Sequence, residues 1–216
     1  MEVLQLADEF VGQLKQQKLV EELVHHRISI NPNYLAADLV SELNQELIGL
    51  AEADRLRAAH IGKERQRIRD IRGDSIHWLT GATEAQRRFM DEMNQLQNAL
   101  NQQLFLGLSE LEAHFAHYPP GSGYQKHVDS FQNNNLRRIT IVAYLNPDWN
   151  EGDGGELEIF DGDDIVTRVA PLGGTLICFV SEDIPHQVAL TQRDRFSIAG
   201  WFRVRDTESL PDIAVL

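Results

Sequence analysis

The chain has 216 residues, 42% hydrophobic and 25% charged, with Gly and Pro spread along it, which fits one folded domain and excludes a disordered or low-complexity chain. A formal charge of -13 opposes attraction to nucleic acid or an anionic membrane and favours a peptide or small-molecule partner. The single cysteine, Cys178 in TLICFV, excludes an intramolecular disulfide and reads as buried and inert.

The first residues, MEVLQLADEFVGQLKQQ, carry acids early and no unbroken apolar stretch, so no secretory signal is expected. No run approaches the roughly 18 apolar residues of a membrane span, and a reduced, cytoplasmic setting is expected. Val3, Leu6, Phe10 and Leu14, then Leu19 and Leu23, predict an amphipathic helix or helix pair over 2–23, followed by a short strand and turn in HRISINPNY. From Asn33, Leu35, Leu39, Leu43, Leu47 and Leu50 form one stripe opposite Asp38, Glu42 and Glu46, the pattern of a helix covering a sheet.

Between Arg55 and Arg72 the apolar period fades and basic residues collect in GKERQRIRDIRGD, bracketed by Gly62 and Gly73. The stretch reads as a loop, either a lid or binding element or a solvated charge run. SIHWL is a predicted strand, and Glu84 to Phe105 a second strong helix with Phe89, Met93, Leu96, Leu100 and Leu104 in line. After Phe105 the period changes: LSELEAHFAHY, LRRITIVAYLN, GGELEIF, DIVTRVA, GGTLICFV, HQVALT and RFSIAGWFRV are short runs parted by turn residues. An α+β fold follows, with a β-sandwich or jelly roll of seven or more strands and the N-terminal helices on one outer face. The expected division is a single domain over 1–216, with helical support to about residue 106 and a β core over about 107–205.

Chemistry concentrates at YPPGSGYQKHVD, residues 118–129. His127 and Asp129 lie two apart, so on an extended segment both leave one face, as two ligands of one metal must. His186, opening a strand after Pro185, is the candidate third ligand, and two His with one carboxylate make a facial triad for Fe(II) with open positions. A hydrogen-bonded histidine remains the other reading of His186. The remaining histidines are assigned no chemistry. Arg195 heads an otherwise apolar strand; pointing inward, it must meet an acid, either the distal carboxylate of a bound 2-oxo acid or a protein carboxylate such as Asp194.

Tyr118-Pro119, Gly123-Tyr124, His127-x-Asp129, Tyr144-Leu145-Asn146 with Asp148-Trp149, Gly154-Gly155 before LEIF, Pro185-His186, and Arg195 with Trp201 together resemble the 2-oxoglutarate and Fe(II)-dependent prolyl hydroxylases of the hypoxia-inducible-factor type. The segment DIRGDSIHWLTG extends the likeness, which covers about Asn33 to Arg203 and is similar to bacterial prolyl-hydroxylase-domain proteins. The resemblance implies a double-stranded β-helix in which His127, Asp129 and His186 hold Fe(II), and Arg195 and Tyr144 hold 2-oxoglutarate. It implies that Tyr118 and Trp201 also line the cofactor pocket. Tyr124, Arg138, Arg69, Arg72 and Asp74 would contact substrate, with the segment from Gly62 to Asp74 folding over a proline. The implied reaction couples O2 and oxidative decarboxylation of 2-oxoglutarate, with ascorbate as auxiliary reductant, to hydroxylation of prolyl C4 in a protein substrate.

Bacterial relatives of this type point to elongation factor Tu as the substrate, and a monomer is favoured. Departures are visible. Ala199 stands where the animal oxygen sensors carry Thr, and no cysteine-based zinc module precedes the core. Other readings stay open: a related oxygenase acting on nucleic acid or a free amino acid, a hydrolytic zinc site, or a non-catalytic jelly-roll binding module.

Overall fold

A computed structural model describes residues 2–59, 71–129 and 136–206, with side chains from residue 11 onward. Three helices, α1 (Glu2–His26), α2 (Ala37–Glu52) and α3 (Glu84–Leu104), and eleven strands follow one another along the chain. The strands are β1 (Ile28–Asn31), β2 (Arg57–Ala58), β3 (Ser75–Trp78), β4 (Leu108–Tyr118), β5 (Tyr124–His127) and β6 (Arg137–Tyr144), then β7 (Leu157–Asp161), β8 (Asp164–Val169), β9 (Leu176–Val180), β10 (His186–Val188) and β11 (Arg195–Val204). Among the described residues, no helix is long and apolar enough to cross a membrane.

The first predicted helix or helix pair is one continuous helix, and Leu14 is half exposed while Leu19 and Leu23 are buried. The step from Leu14 to Leu19 is five residues, which at about 100° per residue carries the stripe round the helix, so both cannot face one core. α2 buries Leu39, Leu43, Leu47 and Leu50 as its stripe requires. α3 is stopped at both ends by its own sequence. The Thr83 hydroxyl accepts from the Gln86 amide at 3.1 Å, and Phe105 adopts the left-handed conformation that ends the helix.

The sheets run β1-β9-β6-β11-β4-β3-β2 and β5-β10-β7-β8, and all their strand pairs are antiparallel. β9, β6, β11 and β4 face the four-stranded sheet, giving the eight-stranded double-stranded β-helix. β1 adds to one edge, and β3 and β2 to the other. Side-chain alternation divides the interior into two cores. Phe115, Ile139, Ile141, Cys178, Ile198 and Phe202 point to the helices and pack with Leu43, Phe89 and Met93. Ala116, Tyr118, Val142, Tyr144, Ile177 and Phe179 point the other way, toward Leu157, Ile159 and Val188 of the smaller sheet. Each large side chain removed from water contributes about 1.5–3 kcal/mol, so the helical layer fixes the larger sheet from behind and leaves its inner face free for chemistry. Cys178 is fully buried and its thiol is pushed up by burial, in keeping with an inert core position.

β5 is the one core strand absent from the expected runs. YQKH has a single aromatic residue, Tyr124, and no apolar alternation, and its position comes from its neighbours. Gly123 precedes it where a Cβ would meet the Val188 carbonyl oxygen at 2.6 Å, so only a glycine lets the chain run this close to β10.

Candidate active site

β5 and β10 pair antiparallel, and the register sets His186 directly opposite His127. Their rings lie 4.3 Å apart between centroids. Asp129 follows two residues after His127, and ligand atoms of His127, Asp129 and His186 all fall within 4.8 Å of one another. Each histidine Nδ1 lies against the backbone carbonyl two residues upstream, Gln125 at 2.8 Å and Ile184 at 3.0 Å. A carbonyl only accepts, so Nδ1 carries the proton and each Nε2 presents a lone pair. Those Nε2 atoms are 3.5 Å and 3.8 Å from the Asp129 carboxylate oxygens.

Burial alone would raise the Asp129 carboxyl, but the imidazoles of His186 and His127 outweigh it and hold it well below the usual carboxylate range. Burial depresses the His186 imidazole, and the neighbouring Asp129 only partly offsets it. A carboxylate held ionised beside two imidazoles whose Nδ1 atoms are tied to backbone carbonyls offers a ready-made divalent-cation site.

Arg195, 1% exposed, lies at the far end of the adjoining cavity. Its Nε donates to the Gly155 carbonyl at 2.8 Å and its Nη1 to Ser197 Oγ at 3.3 Å. Gly155, at φ +71°, is a cradle: a Cβ there would press on Arg195 Cδ at 3.1 Å. No carboxylate pairs with Arg195 among the described residues, and Asp194 instead accepts from His117 Nε2 at 2.7 Å. Beside Arg195, the Tyr144 hydroxyl is buried with no hydrogen-bond partner. A planar cation and an unanswered hydroxyl deep in a cavity that opens at the triad fit a dicarboxylate bound to the metal at one end and to Arg195 at the other.

Tyr118 is buried beside Arg195, and burial pushes its phenol upward, so it stays protonated. Tyr124 stacks on His127 at 3.7 Å, and the Arg72 guanidinium carbon lies 5.0 Å from the Tyr124 ring centre. Arg72 grips the buried Asp74 carboxylate through both oxygens, at 2.6 and 2.9 Å. Backbone bonds from Gly73 to Gly123 and from Gln125 to Ile71 dock this segment onto the metal-bearing strand. Arg69 and the stretch from Gly62 to Asp70 lie outside the described residues.

Trp201 lines the cavity, and its ring is covered by Arg137 at 3.6 Å. Arg137 lines the groove at the cavity mouth, whereas Arg138, the residue singled out in the sequence, does not. Register runs Phe202↔Ile139 and then Arg203↔Arg137, so Arg138 is an extra residue in a bulge, exposed and away from the cavity. That groove, of about 400 Å³, is lined by Ile71, Trp78, Tyr124, Val128, Arg137 and Trp201.

Two further lining residues escaped the sequence reading. His114 stands opposite Ala199, fully buried between Trp78 and Trp201. Thr140 donates to Asp129 Oδ2 at 2.9 Å. The available signal was that His114 and Thr140 share a face with Tyr118 on β4 and Tyr144 on β6.

The double-stranded β-helix with this triad at its mouth and an unpaired arginine behind it defines an iron oxygenase that takes 2-oxoglutarate. Residues 113–203 match the 2OG-Fe(II) oxygenase superfamily. Over 88% of this chain and 100% of the other, the structure superposes on a prolyl-4-hydroxylase of Pseudomonas putida with TM-score 0.81 and 38% identity. A Trichoplax adhaerens prolyl hydroxylase, solved with a hypoxia inducible factor oxygen degradation domain peptide, matches at TM-score 0.81 and 25% identity over 91% of this chain and 92% of that one. Egl nine homolog 1 of Homo sapiens is 28% identical over 187 residues, 82% of this chain and 44% of that protein. The chain spans about half the length of the curated relatives it matches. It belongs to the 2OG-Fe(II) oxygenase superfamily, whose members use Fe(II), 2-oxoglutarate and O2.

Proposed function

We propose that this protein is a prolyl hydroxylase that hydroxylates C4 of a prolyl residue in a protein substrate. One observation carries the reading: a buried arginine without an acid partner closes the cavity that His127, Asp129 and His186 open. The likeness to prolyl hydroxylases supplies the substrate class.

In this reading His127, Asp129 and His186 hold Fe(II), while Arg195 and the Tyr144 hydroxyl take the distal carboxylate of 2-oxoglutarate. Bound together, iron and cosubstrate supply the oxidising chemistry, yielding succinate, CO2 and one hydroxyl group. The protein's part is placement and shielding. Tyr118 and Trp201 wall the pocket, and Tyr124 fixes the His127 ring by stacking. The Arg72–Asp74 pair holds segment 71–74 against β5 at the rim, where a peptide must enter.

We read the substrate as a prolyl residue of elongation factor Tu, on the resemblance to bacterial relatives, and the enzyme as a cytoplasmic monomer with residues 1–216 forming one catalytic domain. The test is purified protein with Fe(II), 2-oxoglutarate, O2 and elongation factor Tu, read by mass spectrometry. The expected product is one added oxygen on a prolyl peptide, identified as 4-hydroxyproline by amino-acid analysis and absent with Asp129→Ala. Modification of another prolyl protein but not of elongation factor Tu would discard the partner and keep the activity. Absence of prolyl oxidation on every protein substrate offered would discard the reading.

A further inference from the structure

Thr140 interrupts an apolar strand, and a buried hydroxyl must find partners. It has two: Asp129 Oδ2 at 2.9 Å and Ser181 Oγ at 3.0 Å. Thr140 is 2% exposed and Ser181 0%. The direction of both bonds follows from elementary chemistry. An ionised carboxylate only accepts, so Thr140 spends its one proton on Asp129, and Ser181 must donate to Thr140. The result is a one-way chain, Ser181 to Thr140 to Asp129, joining the end of β9 to β6 and then to the metal-facing carboxylate.

We propose that Thr140 and Ser181 are positioning residues that hold Asp129 to a single-oxygen binding mode; this rests on reading the triad as the metal centre. With Oδ2 committed to Thr140, Oδ1, which lies 3.5 Å from His127 Nε2, is the oxygen left for a cation. Turning the carboxylate so that Oδ2, which lies 3.8 Å from His186 Nε2, also reaches a metal would pull it from its 2.9 Å contact with Thr140 and weaken that bond. It would also fill a coordination position that a facial triad keeps open for cosubstrate and O2. The hydroxyl pair therefore does two things: it fixes the rotation of the carboxylate before metal arrives, and it preserves the vacancy the reaction needs. Partners of this kind commonly change metal affinity on the order of 10–100-fold when removed.

The test measures Mn(II) binding alone, by calorimetry on metal-free protein without 2-oxoglutarate or peptide, beside thermal melting of each variant. Thr140→Val keeps the shape and removes the hydroxyl, and is expected to weaken Mn(II) on the order of tenfold or more. Thr140→Ser restores the donor and is expected to bind close to wild type. Ser181→Ala leaves the bond to Asp129 but removes its support, and is expected to weaken Mn(II) less than Thr140→Val. Wild-type affinity in Thr140→Val, or equal loss in Thr140→Ser and Thr140→Val, overturns the proposal, the second because packing and not the hydroxyl would then matter. If Thr140→Val does not fold, unchanged affinity in Ser181→Ala overturns it. Wild-type protein that binds no Mn(II) removes the proposal together with the metal-site reading beneath it, whereas normal wild-type binding with an indifferent Thr140→Val removes the proposal alone.

Discussion

Arg195 stands directly across the β11–β4 ladder from Tyr118, its guanidinium carbon 5.1 Å from that ring centre and 5.0 Å from the centre of Tyr144. Two aromatic faces and two neutral acceptors hold this charge, where a structural arginine at such depth would hold a carboxylate. Face-on aromatic contacts contribute about 0.5–2 kcal/mol each, less than the several kcal/mol that burying an ion costs. The site is therefore built at the expense of stability, and on the proposed function a bound dianion would supply the missing counter-charge.

Arg195→Met is accordingly expected to separate stability from binding. Thermal melting without ligand should hold steady or rise, because an incompletely compensated buried charge is removed. Binding of 2-oxoglutarate to the Mn(II)-loaded protein should weaken about a hundredfold or more by calorimetry. Retained affinity would show that the cosubstrate is anchored elsewhere.

Tyr144→Phe removes a buried hydroxyl that has no partner. The variant should be as stable as wild type or more stable by up to about 1 kcal/mol, since a desolvation cost disappears. Its 2-oxoglutarate affinity should fall about tenfold, or about 1.4 kcal/mol. A clear loss of stability would mean that the hydroxyl is already satisfied in the free protein.

Arg72→Ala leaves the Asp74 carboxylate buried without its cation. Removing one partner of such a pair costs about 3–5 kcal/mol, so urea denaturation should show a large loss. Arg72→Ala combined with Asp74→Asn should recover part of it. The peptide KM should rise in both variants, because segment 71–74 docks through Arg72 on β5 and Tyr124.

His114 is held neutral: burial, and then the nearby Arg72 cation, lower it from its ordinary 6.5 to about 4. The unfolded chain takes up this proton as pH falls through about 6.5, while the folded chain does so only near 4, so unfolding binds a proton in that window. Stability should be full above pH 6.5 and decline toward pH 4, by at most about 3 kcal/mol from this residue. Urea midpoints compared across this window test it, and His114→Gln, which cannot titrate there, should show a smaller decline. An equal decline in both proteins would place the effect on other groups.

Much of the fold was legible because its signals are local. The α2 and α3 stripes follow from a repeat of 3.6, and the alternation of Ile198 and Phe202 with Arg195, Ser197 and Trp201 follows from a repeat of two. β5 was not legible, since YQKH forms a strand through its pairing with β10 and not through its composition. Arg137 was missed for a related reason: a bulge adds one residue to β6, and a one-residue slip exchanges the faces.

The order of residues already names the groups available: two histidines and a carboxylate suited to iron, an arginine heading an apolar strand, and the motifs that place them in a family. It could not determine whether that arginine was free. Asp194 is its neighbour in the chain, yet Asp194, just ahead of β11, turns to His117 while Arg195, the first residue of β11, points into the cavity. Nor could it bring His186 opposite His127, or set Thr140 and Ser181 behind Asp129. Those relationships join residues distant in the chain, and they exist only once the packing of two sheets has fixed every register.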